Sequence, residues 1–203
     1  MKRVYLCLIF VLLLVSSAFA ASGERKFSAA ELKLMSTFLS NFTELGFMSF
    51  DAKDITNEDD PDDMIRFGVC HNYINYKSRI ARCKTKDCEM GSLVIDGKHV
   101  KESVKKYFDY DIKKLTSVME SDPPFYYDGK LYHFEGADGE AVYYTRVVNA
   151  VQNSSGQIVM TGELYNVDDE SDKLGKLEAI AKPYKYGGKN TWAIIGMKTE
   201  YYE

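Results

Sequence analysis

The sequence predicts an α+β fold, with helices in the N-terminal half and antiparallel strands in the C-terminal half. In several stretches between residues 32 and 118, apolar residues recur every three or four positions, which is the period of amphipathic helices. From about residue 125 they alternate with polar residues, and clusters of Asp, Asn, Ser and Gly interrupt the alternation, as in strands joined by tight turns. Helices followed by a run of strands are typical of α+β domains.

The N-terminal residues 1–20 have the layout of a cleavable secretory signal. Lys2 and Arg3 precede an apolar run at residues 4–15, and small residues stand at the −3 and −1 positions of a cleavage site before residue 21. No later apolar run approaches the ~20 residues of a transmembrane helix. We therefore expect one exported domain, residues 21–203, periplasmic or extracellular, without a transmembrane segment after cleavage.

Charge and motif content exclude several classes of function. The formal net charge of the chain is −4, and loss of Lys2 and Arg3 makes it −6, which disfavours binding to nucleic acid. The sequence contains no dinucleotide-binding fingerprint, P-loop, zinc-protease motif or serine-hydrolase elbow. No cofactor is predicted, and the absence of these motifs favours a non-catalytic protein over an enzyme.

The first predicted helix begins at Ser28 and ends at Gly46. Ser28 and Glu31 form the S-x-x-E capping box, and Phe27 precedes the cap as a hydrophobic staple for Leu32. Glycine is common just beyond the end of a helix. The apolar residues that should face the core are Leu32, Met35, Leu39, Phe42 and Leu45.

The second predicted helix begins with Asp60 as cap and Pro61 at the first helical position. Basic residues collect towards Arg82, and cations favour the C-terminal end of a helix. We therefore expect the helix to continue to about Arg82. Its buried stripe should consist of Phe67, Cys70, Ile74 and Ala81.

The remaining elements follow in order along the chain. Residues 92–95 predict a short strand, a third helix starts near Val100, and an apolar rhythm at residues 112–118 suggests a further short helix. Asp128-Gly129 predicts a tight hairpin over residues 125–132. Four long strands are expected at residues 141–152, 157–167, 174–185 and 191–202.

This order of elements resembles the NTF2-like (cystatin-like) superfamily. The segment at residues 93–97 leading into residues 100–104 is similar to the short strand and third helix of that fold. The resemblance covers roughly residues 27–202 and implies a strongly bent antiparallel meander that wraps around the helices as a cone with an internal pocket. The superfamily includes enzymes, ligand carriers and interaction domains, so the resemblance implies no single function.

Three cysteines remain after the predicted cleavage. Cys83 and Cys88 bracket a polar loop short enough for a disulfide, which an exported protein is permitted to form. Cys70 is expected to be free and buried, with an intermolecular disulfide as the alternative. Three cysteines at these spacings lack the paired pattern of structural zinc sites, so no metal site is predicted.

His71 is the candidate catalytic residue. It lies near the middle of the second predicted helix, where a histidine pointing into a cone pocket could act as a general base. The alternative is a histidine on the flank of the helix that forms a hydrogen bond to a neighbour, and no spacing in the sequence identifies a partner for catalysis.

Tyrosine is the compositional excess, with 15 residues in the chain. A tyrosine ring with a polar tip provides binding surface at low entropic cost, although strands also favour tyrosine for packing. The sequence thus predicts a non-catalytic exported domain that binds a partner protein or a small apolar ligand, and the alternative is a small enzyme that uses His71. The candidate binding residues are Tyr126, Tyr132, Tyr144, Tyr165 and Tyr202.

Overall fold

The structure is a computed structural model that describes residues 25–85, 88–136 and 142–203. The predicted signal segment, residues 1–20, lies outside the described residues. Within them, no helix has both the length and the apolar character needed to cross a membrane.

The described chain combines helices with antiparallel sheets, as the sequence predicted. The helices are α1 (Ala29–Thr43), α2 (Ala52–Ile55), α3 (Asp62–Asn75) and α4 (Gly97–Phe108). The strands are β1 (Arg25–Lys26), β2 (Phe50–Asp51), β3 (Ile80–Arg82), β4 (Leu93–Asp96), β5 (Tyr126–Tyr127), β6 (Leu131–Phe134), β7 (Tyr143–Gln152), β8 (Ile158–Asn166), β9 (Lys173–Tyr186) and β10 (Lys189–Tyr201).

The strands form two antiparallel sheets. The larger sheet has the order β1-β7-β8-β9-β10-β2, and its four long strands are the meander expected from the alternating pattern. The smaller sheet has the order β3-β4-β6-β5 and contains the predicted hairpin, β5–β6. Pro183 of β9 pairs with Trp192 of β10. On its other side β8 does not extend as far as Pro183, because the pairing of β8 with β9 ends at Ile158 and Ala181. The missing N–H of Pro183 therefore leaves no gap in the sheet.

Helix α1 begins as predicted. The Ser28 hydroxyl accepts a hydrogen bond from the backbone N–H of Glu31, and the Glu31 carboxylate accepts one from the backbone N–H of Ser28. Gly46 follows the helix with a φ of 75°, a conformation that glycine adopts without strain. The face that includes Met35, Leu39 and Phe42 is buried against the core.

Helix α3 ends earlier than the sequence predicted. It stops at Asn75, a short 3₁₀ turn follows at Lys77–Arg79, and the chain continues as strand β3. The prediction of a helix to Arg82 was wrong, because pairing of β3 with β4 provides backbone hydrogen bonds that the helix would otherwise supply. Ala81 is consequently exposed, and Ile74, at 39% exposure, is not a core residue.

Two further boundaries also differ from expectation. The N-cap of α3 is Pro61, and Asp60 reaches the backbone N–H of Asp62 from one residue further back. Residues 112–118 contain no helix; Val118 instead forms an isolated bridge to Phe125, and Ile112 is buried in the core as part of an irregular segment. The spacing of the apolar residues in this segment therefore reflects burial of Ile112 and Val118 and not a helix.

Candidate functional site

His71 lies in α3 at the centre of a buried hydrogen-bond network. Its side chain is 0% exposed, its Nδ1 is 3.1 Å from the Ser103 hydroxyl, and its Nε2 is 3.0 Å from Oδ1 of Asn41. The amide Nδ2 of Asn41 donates to the carbonyl of Thr37, so its Oδ1 is the acceptor. His71 must then carry its proton on Nε2, and Nδ1 accepts the Ser103 hydroxyl proton.

The network extends to both sides of the imidazole. The Tyr107 hydroxyl donates to Oδ1 of Asn41 at 3.0 Å. On the other side, Nδ2 of Asn72 donates to the Ser103 hydroxyl oxygen at 2.8 Å, and the Arg79 guanidinium donates to Oδ1 of Asn72 at 2.9 Å. Asn41 and Ser103 are each held by a further hydrogen bond, so their roles towards His71, acceptor and donor, are defined, which holds the His71 tautomer in place.

The surroundings keep His71 neutral. Burial lowers its pKa to about 3, with further lowering by the charges of Lys106 and Arg79. The Phe67 ring stacks on the imidazole with the ring centroids 5.4 Å apart. A general base works best when its pKa lies near the working pH, and the two groups that His71 contacts through hydrogen bonds are a neutral amide and a neutral hydroxyl. The hydrogen bonds to Asn41 and Ser103 are those of the alternative interpretation, in which His71 bonds to its neighbours.

A basic cleft of about 330 Å³ lies above this network, between the α3–α4 pair and the β9–β10 hairpin. Helix α4 contributes Lys106, the 3₁₀ turn contributes Arg79, and the hairpin contributes Lys189. The two hairpin glycines have φ values of 56° and 78°, the positive angles that a tight two-residue turn requires. We call this cavity the basic cleft. It is lined by His71, Tyr76, Arg79, Glu102, Ser103, Lys106, Tyr186, Gly187 and Lys189.

Positive charge dominates the basic cleft. Its one carboxylate, Glu102, is shared between the Arg79 guanidinium at 3.3 Å and Nδ1 of His99 at 3.0 Å. Across the described part of the chain, no carboxylate oxygen lies within 4.0 Å of the ammonium groups of Lys106 or Lys189. The Lys106 ammonium instead lies 3.2 Å from the Tyr107 hydroxyl.

The five predicted tyrosines do not form one surface. Tyr144 and Tyr165 are cross-strand partners in β7 and β8, and their rings meet edge to face. Tyr126 lies in β5 of the other sheet, and Tyr202 is 44% exposed after the end of β10. Tyr132 is 0% exposed and its hydroxyl donates to the carbonyl of Thr116, so it belongs to the core and not to the outer surface of the sheet.

Cys83 and Cys88 form a cluster with His133. Both are free thiols in this structure, and their sulfur atoms lie 3.6 Å and 3.4 Å from Nδ1 of His133. The three donor atoms all lie within 4.8 Å of one another. The proximity of Cys83 and Cys88 fits the sequence prediction, and the disulfide itself stays a prediction. Cys70 is a free, half-buried thiol, and burial raises its pKa to about 11.

Hydrogen bonds around the cluster lower the pKa values of Cys83 and Asp128. The backbone N–H of Thr85 and the Cys88 thiol lower the pKa of Cys83 to about 7, so this thiol is partly ionised at neutral pH. Nε2 of His133 is 3.0 Å from Oδ2 of Asp128. Hydrogen bonds from the backbone N–H of Leu131 and from His133 lower the pKa of Asp128 to about 2.

Sequence reasoning missed most partners in these two places. It identified His71 but not Asn41 or Ser103, which lie 30 and 32 positions away in the chain. It identified the two cysteines but not His133, 45 to 50 positions away. The C-x₄-C spacing in the sequence indicated that Cys83 and Cys88 could lie close together, but no pattern in the sequence indicated that a histidine lies beside them.

Comparison of the chain with protein-family models, with curated proteins and with solved structures gives no match.

Proposed function

We propose that the protein is an exported, non-catalytic binding domain and that the basic cleft binds a small organic anion. The observation that carries this proposal is the convergence of Arg79, Lys106 and Lys189 on one cavity that has one carboxylate. Like charges brought together repel each other, so a folded chain that gathers three cations gains free energy when an anion joins them.

The size and walls of the basic cleft narrow the class of ligand. A volume of about 330 Å³ lies at the small end of ligand pockets, which span roughly 300–1,000 Å³. Tyr76 and Tyr186 contribute aromatic rings to its lining. A ligand with one carboxylate or phosphate group and a flat apolar body satisfies both the cations and the rings. This proposal replaces the apolar ligand expected from the sequence with an amphipathic anion.

Lys106 and Lys189 are the two residues that we expect to contact the anion. Arg79 already donates to Asn72 and pairs with Glu102, and its guanidinium lies over the Tyr76 ring at 4.5 Å. Hydrogen bonds to charged groups contribute about 1.5–3 kcal/mol each, which corresponds to roughly a 10- to 100-fold change in affinity.

The NTF2-like arrangement belongs to the same proposal. In that superfamily the meander wraps around the helices, and here β7 lies against α1 and β10 lies against α4. The basic cleft would then correspond to an opening of the cone that is bounded by the β9–β10 hairpin.

Catalysis by His71 as a general base has less support. A pKa of about 3 makes the imidazole a weak base, and its Nδ1 already accepts the Ser103 proton. His71 is 0% exposed and Ser103 is 3% exposed, so almost nothing of either side chain is open to a substrate, although both line the cleft.

Titration calorimetry with four probes tests the anion site. We expect phenyl phosphate to bind most tightly, inorganic phosphate and benzoate more weakly, and benzyl alcohol not at all, since both charge and ring are needed. Affinity for phenyl phosphate should fall as salt is added, because the ions screen the cations of the cleft.

Lys106→Met and Lys189→Met should each weaken phenyl phosphate binding by roughly 10- to 100-fold. Lys101→Met is the matched control, since Lys101 is in the same helix but its ammonium approaches the carbonyl of Lys113 and not the cleft. Equal affinity in the Lys106 and Lys101 variants would contradict the proposal, as would binding of benzyl alcohol as tight as that of phenyl phosphate.

A further inference from the structure

Cys83, Cys88 and His133 bring three atoms that can each bind a metal ion to within 4.8 Å of one another. Nδ1 of a neutral imidazole has one lone pair, and two thiols lie within 3.6 Å of it. One S–H can donate to that lone pair, and the Cys88 thiol also forms a hydrogen bond with the Cys83 sulfur, so the three donor atoms converge. A cation placed between the three atoms would use a lone pair from each of them.

The two sulfur–nitrogen distances within the cluster match a tetrahedral metal site. Zn–S bonds of about 2.3 Å and Zn–N bonds of about 2.0–2.1 Å, meeting at the tetrahedral angle, separate sulfur from nitrogen by about 3.6 Å. The observed separations from Nδ1 are 3.6 Å for the Cys83 sulfur and 3.4 Å for the Cys88 sulfur. These two sulfur–nitrogen separations already suit the ion, and all three donor atoms lie within 4.8 Å of one another.

We propose that Cys83, Cys88 and His133 bind Zn²⁺ through their two sulfur atoms and Nδ1, with an exchangeable fourth position taken by water or an external ligand. Thiolate and imidazole are the ligand types that zinc prefers, and two thiolates neutralise its charge. Both cysteines are half-buried, so an ion reaches the site from solvent.

Asp128 prepares His133 for this role. Nε2 of His133 donates to Oδ2 of Asp128 at 3.0 Å, which leaves the lone pair on Nδ1 facing the two sulfurs. Oδ1 of Asp128 accepts the backbone N–H groups of Lys130 and Leu131 at 2.8 Å and 2.7 Å, so the β5–β6 turn fixes the carboxylate. A carboxylate behind a ligating histidine sets its tautomer and raises its basicity.

The backbone carries the cysteines to His133. The Cys83 N–H donates to the carbonyl of Ser92, which closes the base of the β3–β4 loop, and Ser92 donates to the Glu135 carboxylate just after β6. Gly91 has a φ of 128°, and a Cβ there would overlap the backbone of Phe134, next to His133. The loop can pass this close to β6 because residue 91 is glycine.

The predicted disulfide is the competing use of the same two sulfurs. A Cys83–Cys88 bond would make both sulfurs poor ligands, and His133 with Asp128 would then be an ordinary hydrogen-bonded pair. The two uses exclude each other, so metal binding requires the reduced protein.

Co²⁺ binding to the reduced protein tests the site. The protein expressed from the full-length chain is treated with a phosphine reductant and a chelator, freed of both, and titrated with Co²⁺ and then Zn²⁺. We expect one Co²⁺ per chain, intense visible bands of tetrahedral cobalt, thiolate-to-cobalt charge transfer in the near ultraviolet, and loss of both signals when Zn²⁺ displaces the cobalt.

Matched variants assign the ligands. Cys83→Ser, Cys88→Ser and His133→Gln should weaken Zn²⁺ binding by more than about 100-fold, and Asp128→Asn should weaken it by about 10- to 100-fold through the histidine tautomer. Cys70→Ala should leave the affinity and the spectrum unchanged. The two serine substitutions lie in a loop, and circular dichroism verifies that these variants are folded.

Three results would overturn the proposal: a reduced, folded wild-type protein that shows no thiolate-to-cobalt band, equal Zn²⁺ affinity in the Cys83→Ser and Cys70→Ala variants, or a native Cys83–Cys88 disulfide whose reduction does not restore metal binding.

Discussion

At the scale of single residues, His71 shows how burial decides between structure and catalysis. A histidine with two neutral partners and a stacked phenyl ring is stabilised in its uncharged form, because the protein interior does not replace the water that solvates an imidazolium. The same residue in an open pocket beside a carboxylate would have served as a base. Its type and helical position were evident from the sequence, and its partners were not.

The protein should therefore become less stable as the pH is lowered from about 6.5 to about 3, which are the pKa values of His71 in the unfolded and folded states. In this window the unfolded chain binds a proton that the folded chain does not, so acid favours unfolding. One such proton contributes a slope of up to about 1.4 kcal/mol per pH unit to the free energy of unfolding. Urea unfolding at several pH values should show a smaller slope for His71→Gln than for the wild type.

NMR titration of the His71 ring protons provides an independent readout. Their chemical shift should stay constant above about pH 4, since the folded pKa is about 3. The buried neutral state of His71 would be refuted by two results together: the same dependence of the free energy of unfolding on pH in the wild type and in His71→Gln, and a change in the chemical shift of the His71 ring protons near pH 6.

At the scale of elements, α1 protects the open edge of β7. Among the residues that the structure describes, β1 pairs with β7 only at Gln152 and Val151, and no described strand pairs with Thr145 or Val147 on that side. The hydroxyl oxygens of Ser40 and Ser36 accept the backbone N–H groups of Thr145 and Val147 at 3.0 Å and 2.9 Å. An exposed strand edge promotes aggregation, and covering it with a helix is one of the ways in which proteins avoid this.

The two serines achieve this because they are four residues apart on one face of α1. The Ser36 hydroxyl donates to the carbonyl of Leu32, and that of Ser40 donates to the carbonyl of Ser36, so each oxygen lone pair points towards the strand. Serine inside a helix would otherwise count against helix formation. Here serine is favourable at both positions because each hydroxyl accepts a backbone N–H of β7.

Ser36→Ala should lower the free energy of unfolding by about 1–3 kcal/mol, because the Val147 N–H loses its acceptor in a partly buried place. Thr37→Ala is the control: Thr37 is the next residue of the helix, is exposed, and bonds to the Lys33 carbonyl of its own helix. It should change stability by no more than about 0.5 kcal/mol. Similar urea midpoints for both variants would show that α1 does not secure the edge.

At the scale of the whole molecule, an aromatic cluster around Phe42 joins the elements into one core. Phe42 is 0% exposed, and its partners come from α1, β2, α3 and α4. Rings at this spacing, edge-on or tilted, stabilise a core beyond the area that they bury. The partners, with centroid distances of 5.2–5.8 Å, are Phe38, Phe50, Phe67, Tyr107 and Phe108.

Phe42→Ala and Ile74→Ala should differ sharply in their effect. Removal of the Phe42 ring leaves a cavity among several elements and should destabilise the protein by about 3–5 kcal/mol. Ile74 is 39% exposed at the end of α3, so its truncation should cost less than about 1 kcal/mol. Urea unfolding measures both, and a large loss for Ile74→Ala would mean that α3 packs with a different face inward.

The amino-acid sequence by itself determined the local features of this protein: the capping box of Ser28 and Glu31, the turn at Asp128-Gly129, and the change from helical to alternating periodicity. These features depend on backbone geometry and on side chains a few positions apart. The tertiary structure decided the end of α3, where pairing of β3 with β4 prevailed over a weak helical pattern.

The tertiary structure also decided both candidate sites. Ser103 reaches His71 because α3 packs on α4, and His133 reaches the cysteines because β6 pairs with β4. The physical reason is that short-range hydrogen bonding specifies an element, whereas the partner of a side chain depends on how distant elements pack, and packing leaves no fixed spacing in the sequence.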